Sequence, residues 1–213
     1  MKKGIIFNTM IPIFIQNLLL RMGNPLPGFS AQEKMKVKNS RIIKDNNAEI
    51  PSAVLIILYP ENNDWYFLLT KRAKNLSHHK GQISLPGGIQ ENRESYEQTA
   101  LREANEEIGI KDKDIQIIGK LTSISVPVSN FKIFPFIGWV KKKPKMIVQE
   151  NEVERVFSVS INELLNKKTL KEKSEVYLNR PIKIPYFDFG GEVVWGATSM
   201  ILSELREIIK DIQ

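Results

Sequence analysis

The sequence predicts a mixed α/β (α+β) sandwich, a mixed β-sheet lying between helices. Three features carry this. Short β-branched apolar runs recur from residue 53 onward, a capped helix of good helix formers interrupts them, and an amphipathic helix closes the chain.

The elements follow in order. Residues 53–59 (AVLIILY) form a short apolar run bounded by Pro60 and Asn62-Asn63-Asp64, so they read as a buried strand and a turn. Residues 65–70 (WYFLLT) return as the partner, making a hairpin. Residues 71–94 are basic and then glycine-rich without periodicity, and a long irregular stretch inside a compact domain points to function. Ser95 with Gln98 three residues on is a capping box, and Gly109 supplies the left-handed residue that ends the helix. Strand-like runs follow at 115–118, 121–126, 131–140 and 153–159, then a short helix at 161–166 and strands at 181–187 and 192–195. Residues 198–212 place Ile201, Leu202, Leu205, Ile208 and Ile209 on one side of a final helix.

Two segments remain outside this pattern. Residues 1–20 carry apolar runs at 11–15 and 18–20, broken by Pro12, Gln16 and Asn17. They are too short and interrupted to span a bilayer and lack a small-x-small cleavage site, so the expectation is an amphipathic helix packed on the domain. Residues 23–50, with Gly23, Pro25, Pro27, Gly28 and then Lys and Asn, read as a connector. The expected organisation is therefore 1–49 as helix and connector, and 50–213 as the main domain.

Composition narrows the chemistry. The 213 residues contain no cysteine, which excludes thiol catalysis, Cys-ligated zinc, iron–sulfur clusters and disulfides, and fits a cytoplasmic location. The two histidines, His78 and His79, are adjacent, so a His-rich metal cage is excluded. The net charge of +7 suits an anionic partner such as a nucleotide, and equally suits a lysine-rich solvated surface.

The informative residues lie on the predicted helix. At about 100° per residue, Ala100, Leu101, Ala104 and Ile108 share the core face, while Glu103, Glu106 and Glu107 share one arc away from it. Three carboxylates at this spacing repel one another. Either the arc is simply solvated, or a hard divalent cation such as Mg²⁺, which takes oxygen ligands and brings phosphates, compensates the charge.

The segment from Gly88 through Glu94, Arg102-Glu103-Ala104, Glu106-Glu107 and Gly109-Ile110 has the form G-x5-E-x7-R-E-U-x-E-E-x-G-U, where U is aliphatic. Chance agreement at its seven fixed positions is on the order of one in 10⁸ per start site. The chain resembles the Nudix hydrolases, which cut a nucleoside diphosphate linked to another group. The resemblance implies Mg²⁺ or Mn²⁺ held by Glu103, Glu106 and Glu107. It also implies an orienting pair between Arg102 and Glu94, and tight turns at Gly87 and Gly88.

A second layer is similar to the coenzyme A pyrophosphatase branch of that family. Leu68-Leu69-Thr70-Lys71-Arg72-Ala73 and Gly81 with Leu85-Pro86-Gly87-Gly88 stand in register with its signature, while Ser77 replaces an Arg and Leu85 a Phe. This implies coenzyme A or its thioesters as substrate, bound by Arg72, Gly87 and Gly88, with Lys74 and Lys80 as further candidate phosphate contacts. Residues 151–157 and 194–198 extend the likeness. Glu152 is the candidate for an extra ligand or general base, and Trp195 either stacks on adenine or packs in the core. The expected partner is a small-molecule nucleotide, without nucleic acid or a membrane span, and with a homodimer left open. ADP-ribose, a dinucleotide or a nucleoside triphosphate is the alternative substrate. A non-catalytic nucleotide- or RNA-binding module is the alternative class.

Overall fold

The computed structural model describes residues 11–38, 48–73, 81–177 and 179–213. The central sheet grows from β1 (Ile50–Glu61) and β2 (Asp64–Arg72), an antiparallel hairpin with Asn62 and Asn63 at positive φ in its turn. β7 (Phe131–Trp139) lies parallel to β1 on the other side, with Ile50 opposite Phe131 and Leu58 opposite Trp139. A parallel pair needs a crossover, and α3 (Tyr96–Ile108) supplies it. Along β1, Leu55, Ile57 and Tyr59 pack toward α3, while Ile56 and Leu58 pack the opposite way. Both faces of β1 are thus buried, which is why its sequence is an unbroken apolar run.

Shorter strands complete the sheet. β3 (Ile83–Ser84) and β8 (Val153–Ser160) pair with β2, β4 (Gly87–Ile89) pairs with β1, and β5 (Gln116–Lys120) and β6 (Ile124–Val126) pair with β7. A second sheet holds β9 (Leu170–Tyr177), β10 (Arg180–Phe189) and β11 (Glu192–Val194) in the order β11-β10-β9. The face opposite α3 is covered by α1 (Ile13–Met22), α4 (Ile161–Leu165), α5 (Gly196–Lys210) and Phe187 and Phe189 of β10. The helices therefore lie on two faces of a mixed sheet, the fold class expected.

Three local expectations are corrected. Residues 23–50 are not a plain connector: α2 (Phe29–Gln32) and a 3₁₀ turn at Glu33–Met35 bury Ala31 and Met35 against the domain. An element this short cannot display a helical period in sequence. The 121–126 run is strand only from Ile124, because Thr122 turns away to meet Glu204 of α5. Glu204 is fully buried and accepts from Thr122 Oγ1 at 2.7 Å and from Gln32 Nε2 at 2.8 Å, tying the N-terminal segment to the last helix. Finally, the stretch at 71–94 contains β3 and β4, whose two and three residues are too few to show alternation.

α1 buries Ile15 and Leu18 while Ile13 and Leu20 stay exposed. Residues 1–10, Lys74, Ser77, His78, His79 and Lys80 lie outside the described residues.

Candidate active site

The site is built around the C-terminal half of α3. Its start is fixed by reciprocal bonds: Gln98 N donates to Ser95 Oγ at 3.2 Å and Ser95 N to Gln98 Oε1 at 2.8 Å. Its end is fixed by Gly109 at φ 71°, whose N–H donates to Asn105 O. Residues 147–149 then run across this end, Ile147 N donating to Ile108 O and Gln149 N to Glu107 O, both at 3.0 Å. These bonds satisfy carbonyls the helix leaves open and hold Glu107 in place.

β4 lies against the same helix. Ala53 is opposite Gly88 and Val54 opposite Gly87, so both glycines are pressed between β1 and α3. Gly87 adopts φ +157°, and its N–H donates to Glu107 Oε2 at 3.4 Å.

The three glutamates share an arc but differ in depth. Glu107 is only 2% exposed, under β4. Its carboxyl is pushed up to about 8, mainly by burial and further by repulsion from Glu103 and Glu152, against the pull of Arg72. Burial also raises Glu103, with Arg102 opposing. Glu106, by contrast, has a side chain 53% exposed. The expected arc is thus not uniformly solvated, because a strand lies over one edge of it.

Arg102 organises the outer side. Its Nε donates to Glu94 Oε1 at 2.8 Å, its Nη1 to Glu103 at 2.9 Å and Glu106 at 2.7 Å, and its Nη2 to Ile89 O at 3.0 Å. The hydrogen bond from Arg102 holds Glu94 below the usual carboxylate range. A lysine cannot reproduce this fork. Arg102→Lys is expected to lower the melting temperature by roughly 2–4 °C and kcat by roughly tenfold or more through a misplaced Glu103. Thermal melts and steady-state kinetics on one preparation check both.

Arg72 enters from the end of β2. Its Nη1 stands 3.7 Å from Glu107 Oε1, and its buried Nε has no hydrogen-bond partner among the described residues. A buried guanidinium donor left open is costly unless a further acceptor arrives. Glu152 is carried to the same place by the loop before β8, where its carbonyl accepts from Ala73 N at 2.9 Å. Its carboxylate is near enough to raise both Glu103 and Glu107.

The structure therefore gathers Arg72, Gly87, Gly88, Glu103, Glu107 and Glu152, with Arg102 bracing Glu103 and Glu106 from outside. Lys74 and Lys80 cannot be placed, since they lie outside the described residues. Trp195 directly precedes α5 and is 37% exposed, so it is not a core residue. Sequence reading missed the Lys71–Glu192–Arg155 cluster, in which β11 is tied to the ends of β2 and β8. Three scattered ionic residues carry no linear signal.

As the side chains stand, no group of three or more acidic or histidine side chains is disposed to hold a metal among the described residues. The chemistry of the donor set nevertheless fits a hard divalent cation. Glu103 and Glu107 are crowded, desolvated oxygen donors whose repulsion a cation would relieve.

A NUDIX domain model matches residues 49–179, more than half of the chain. The chain belongs to the Nudix family. It is 34% identical over 161 residues to Nudix hydrolase 15, mitochondrial, of Arabidopsis thaliana, covering 71% of this chain and 55% of that protein. It is 34% identical over 133 residues to Nudix hydrolase 3 of Caenorhabditis elegans, covering 61% of this chain and 55% of that one. The Nudix hydrolase NudL of Pectobacterium atrosepticum is 30% identical over 153 residues, covering 68% and 75%. The chain thus spans about half the length of the first two relatives. In fold, it is similar to the crystal structure of a Nudix hydrolase from M. smegmatis, RenU, with a TM-score of 0.57 at 16% identity over 82% of this chain and 97% of that one. A MutT/nudix protein from Enterococcus faecalis gives 0.51 at 14% identity over 94% and 75%. The Nudix fold of this chain is thus framed by α1 and α5, which lie outside the matched residues.

Proposed function

We propose that this Nudix protein is a divalent-metal-dependent hydrolase that cleaves the diphosphate of coenzyme A or its thioesters. The products are 3′,5′-ADP and 4′-phosphopantetheine or its acyl form. The observation that carries the reading is the pairing of the buried Glu107 with the half-buried, desolvated Glu103, with the open donor of Arg72 beside them.

Glu103, Glu106 and Glu107 would hold Mg²⁺ or Mn²⁺; Glu106 accepts from Arg102 Nη1 at 2.7 Å in the structure. The metal, when bound, supplies Lewis acidity and a water of lowered pKa. The chain's residues do the rest. Arg72 donates to a diphosphate oxygen, for which a guanidinium is suited. Gly87 and Gly88 let β4 lie close to the carboxylates with no side chain in between. Glu152 positions the attacking water and takes its proton. The segments 68–73 and 81–88 support coenzyme A over other diphosphates. Leu85, where the branch has Phe, is buried and keeps that position apolar. The expected location is cytoplasmic, although two plant relatives are named mitochondrial and chloroplastic. Among the described residues no helix is long and apolar enough to cross a membrane.

The test presents coenzyme A, dephospho-coenzyme A and ADP-ribose side by side with Mg²⁺ or Mn²⁺. Release of 3′,5′-ADP is expected, with dephospho-coenzyme A roughly tenfold poorer in kcat/KM for want of its 3′-phosphate. Preference for ADP-ribose would keep the chemistry and overturn the substrate. Metal-independent binding of all three without turnover would favour a nucleotide-binding module.

A further inference from the structure

We infer that β9 is a self-association edge, on which a second copy of this chain adds its own β9 antiparallel about a two-fold axis through Ser174. One side of β9 pairs with β10 along all eight residues, from Leu170 opposite Phe187 to Tyr177 opposite Arg180. Among the described residues no strand pairs with its other side. Such an edge presents a row of open N–H and C=O groups. Two apolar side chains sit uncovered at its end, Val176 at 76% and Tyr177 at 51% exposure.

Lysines on an edge ordinarily discourage pairing. Here the charge pattern, Leu-Lys-Glu-Lys-Ser-Glu-Val-Tyr, is complementary to itself. In a continuous sheet, facing residues share one face, so the two-fold axis must pass through a residue rather than between two. An axis through Lys171, Glu172, Lys173 or Glu175 would set that charge against its own copy. Ser174 is the neutral residue among them. With the axis there, Lys173 faces Glu175 of the second copy twice and Lys171 faces Tyr177 twice. Glu172 faces Val176, which covers the exposed apolar end. Lys173 Nζ and Glu175 Oε1 already meet at 2.6 Å within one strand, so pairing only exchanges their partners. Opposite charges directly across an antiparallel pair stabilise it. An eight-residue edge buries less than the ~800 Å² per partner of a stable interface, so the dimer forms reversibly with concentration.

The absence of cysteine makes the test clean. Ser174→Cys introduces a single thiol that faces its own copy at a Cα separation of about 4.5–5.5 Å, within disulfide reach. Val176→Cys, two positions from the axis, leaves its thiols roughly 13 Å apart. Mild oxidation is expected to give a covalent dimer with Ser174→Cys and none with Val176→Cys. In sedimentation velocity, Lys173→Glu is expected to weaken the dimer about tenfold or more, and Lys173→Glu combined with Glu175→Lys to restore it. Circular dichroism verifies that each variant is folded. Equal cross-linking of the two cysteine variants would overturn the inference. So would a wild-type chain that stays monomeric, or a dimer insensitive to Lys173→Glu.

Discussion

Glu107→Gln is expected to stop turnover and, in the absence of metal, to make the protein more stable. The two effects have one cause. Glu107 is an almost fully buried carboxyl whose ionisation is opposed by burial and by Glu103 and Glu152, with Arg72 at 3.7 Å and the Gly87 N–H drawing it the other way. A neutral amide of the same shape removes that burden. The expected gain is about 1 kcal/mol, the scale on which strained functional groups cost stability, or roughly 2–4 °C for a chain of this size. The same change removes a hard oxygen charge from the proposed metal ligands, so kcat is expected to fall by roughly 10³-fold, about 4 kcal/mol of transition-state stabilisation. Mn²⁺ should raise the melting temperature of the wild type and not of the variant. Melts in chelator and in Mn²⁺, together with product assays, check both signs. A lower melting temperature in chelator would mean that Arg72 holds Glu107 as a stabilising pair.

Gly87 and Gly88 are expected to fail in different ways when each is replaced by alanine. A methyl on Gly87 would lie 2.6 Å from Val54 Cα, at a backbone φ of +157° that side chains rarely adopt. Main chain cannot yield there, because β4 is paired with β1. Gly87→Ala is therefore expected to cost about 3 kcal/mol or more, lowering the melting temperature by roughly 10 °C. The three atoms nearest a methyl on Gly88 would all belong to the Glu103 carboxylate, with Oε2 at 2.6 Å. The far end of a side chain can swing aside. Gly88→Ala is thus expected to keep its stability within about 1 kcal/mol and to lose roughly 10²-fold in kcat, the effect of shifting a reacting group by about 1 Å. Urea denaturation and steady-state kinetics separate the two outcomes. A fully active Gly88→Ala would show that Glu103 is not needed where it stands.

Much of this molecule could be read from local rules. The limits of α3 follow from Ser95, Gln98 and Gly109, each acting within a few residues of chain. The β1–β2 hairpin follows from two apolar runs around an Asn-Asn turn. The spacing of Glu103, Glu106 and Glu107 places them on one arc, because helical period depends only on the backbone. β9 escaped such reading, since an exposed edge strand of alternating Lys and Glu has no apolar period to report. The helical turn at residues 29–35 escaped for want of length.

By itself, then, the sequence determined the order of elements, the caps of α3 and the family motif, all of which depend on neighbours along the chain. Only the tertiary structure decided how deep each glutamate lies. β4 pairs with β1 across more than thirty residues of chain and covers Glu107, while Glu106 stays in water beside Arg102. Burial and repulsion depend on what is near in space, and that is set when strands distant in sequence come together.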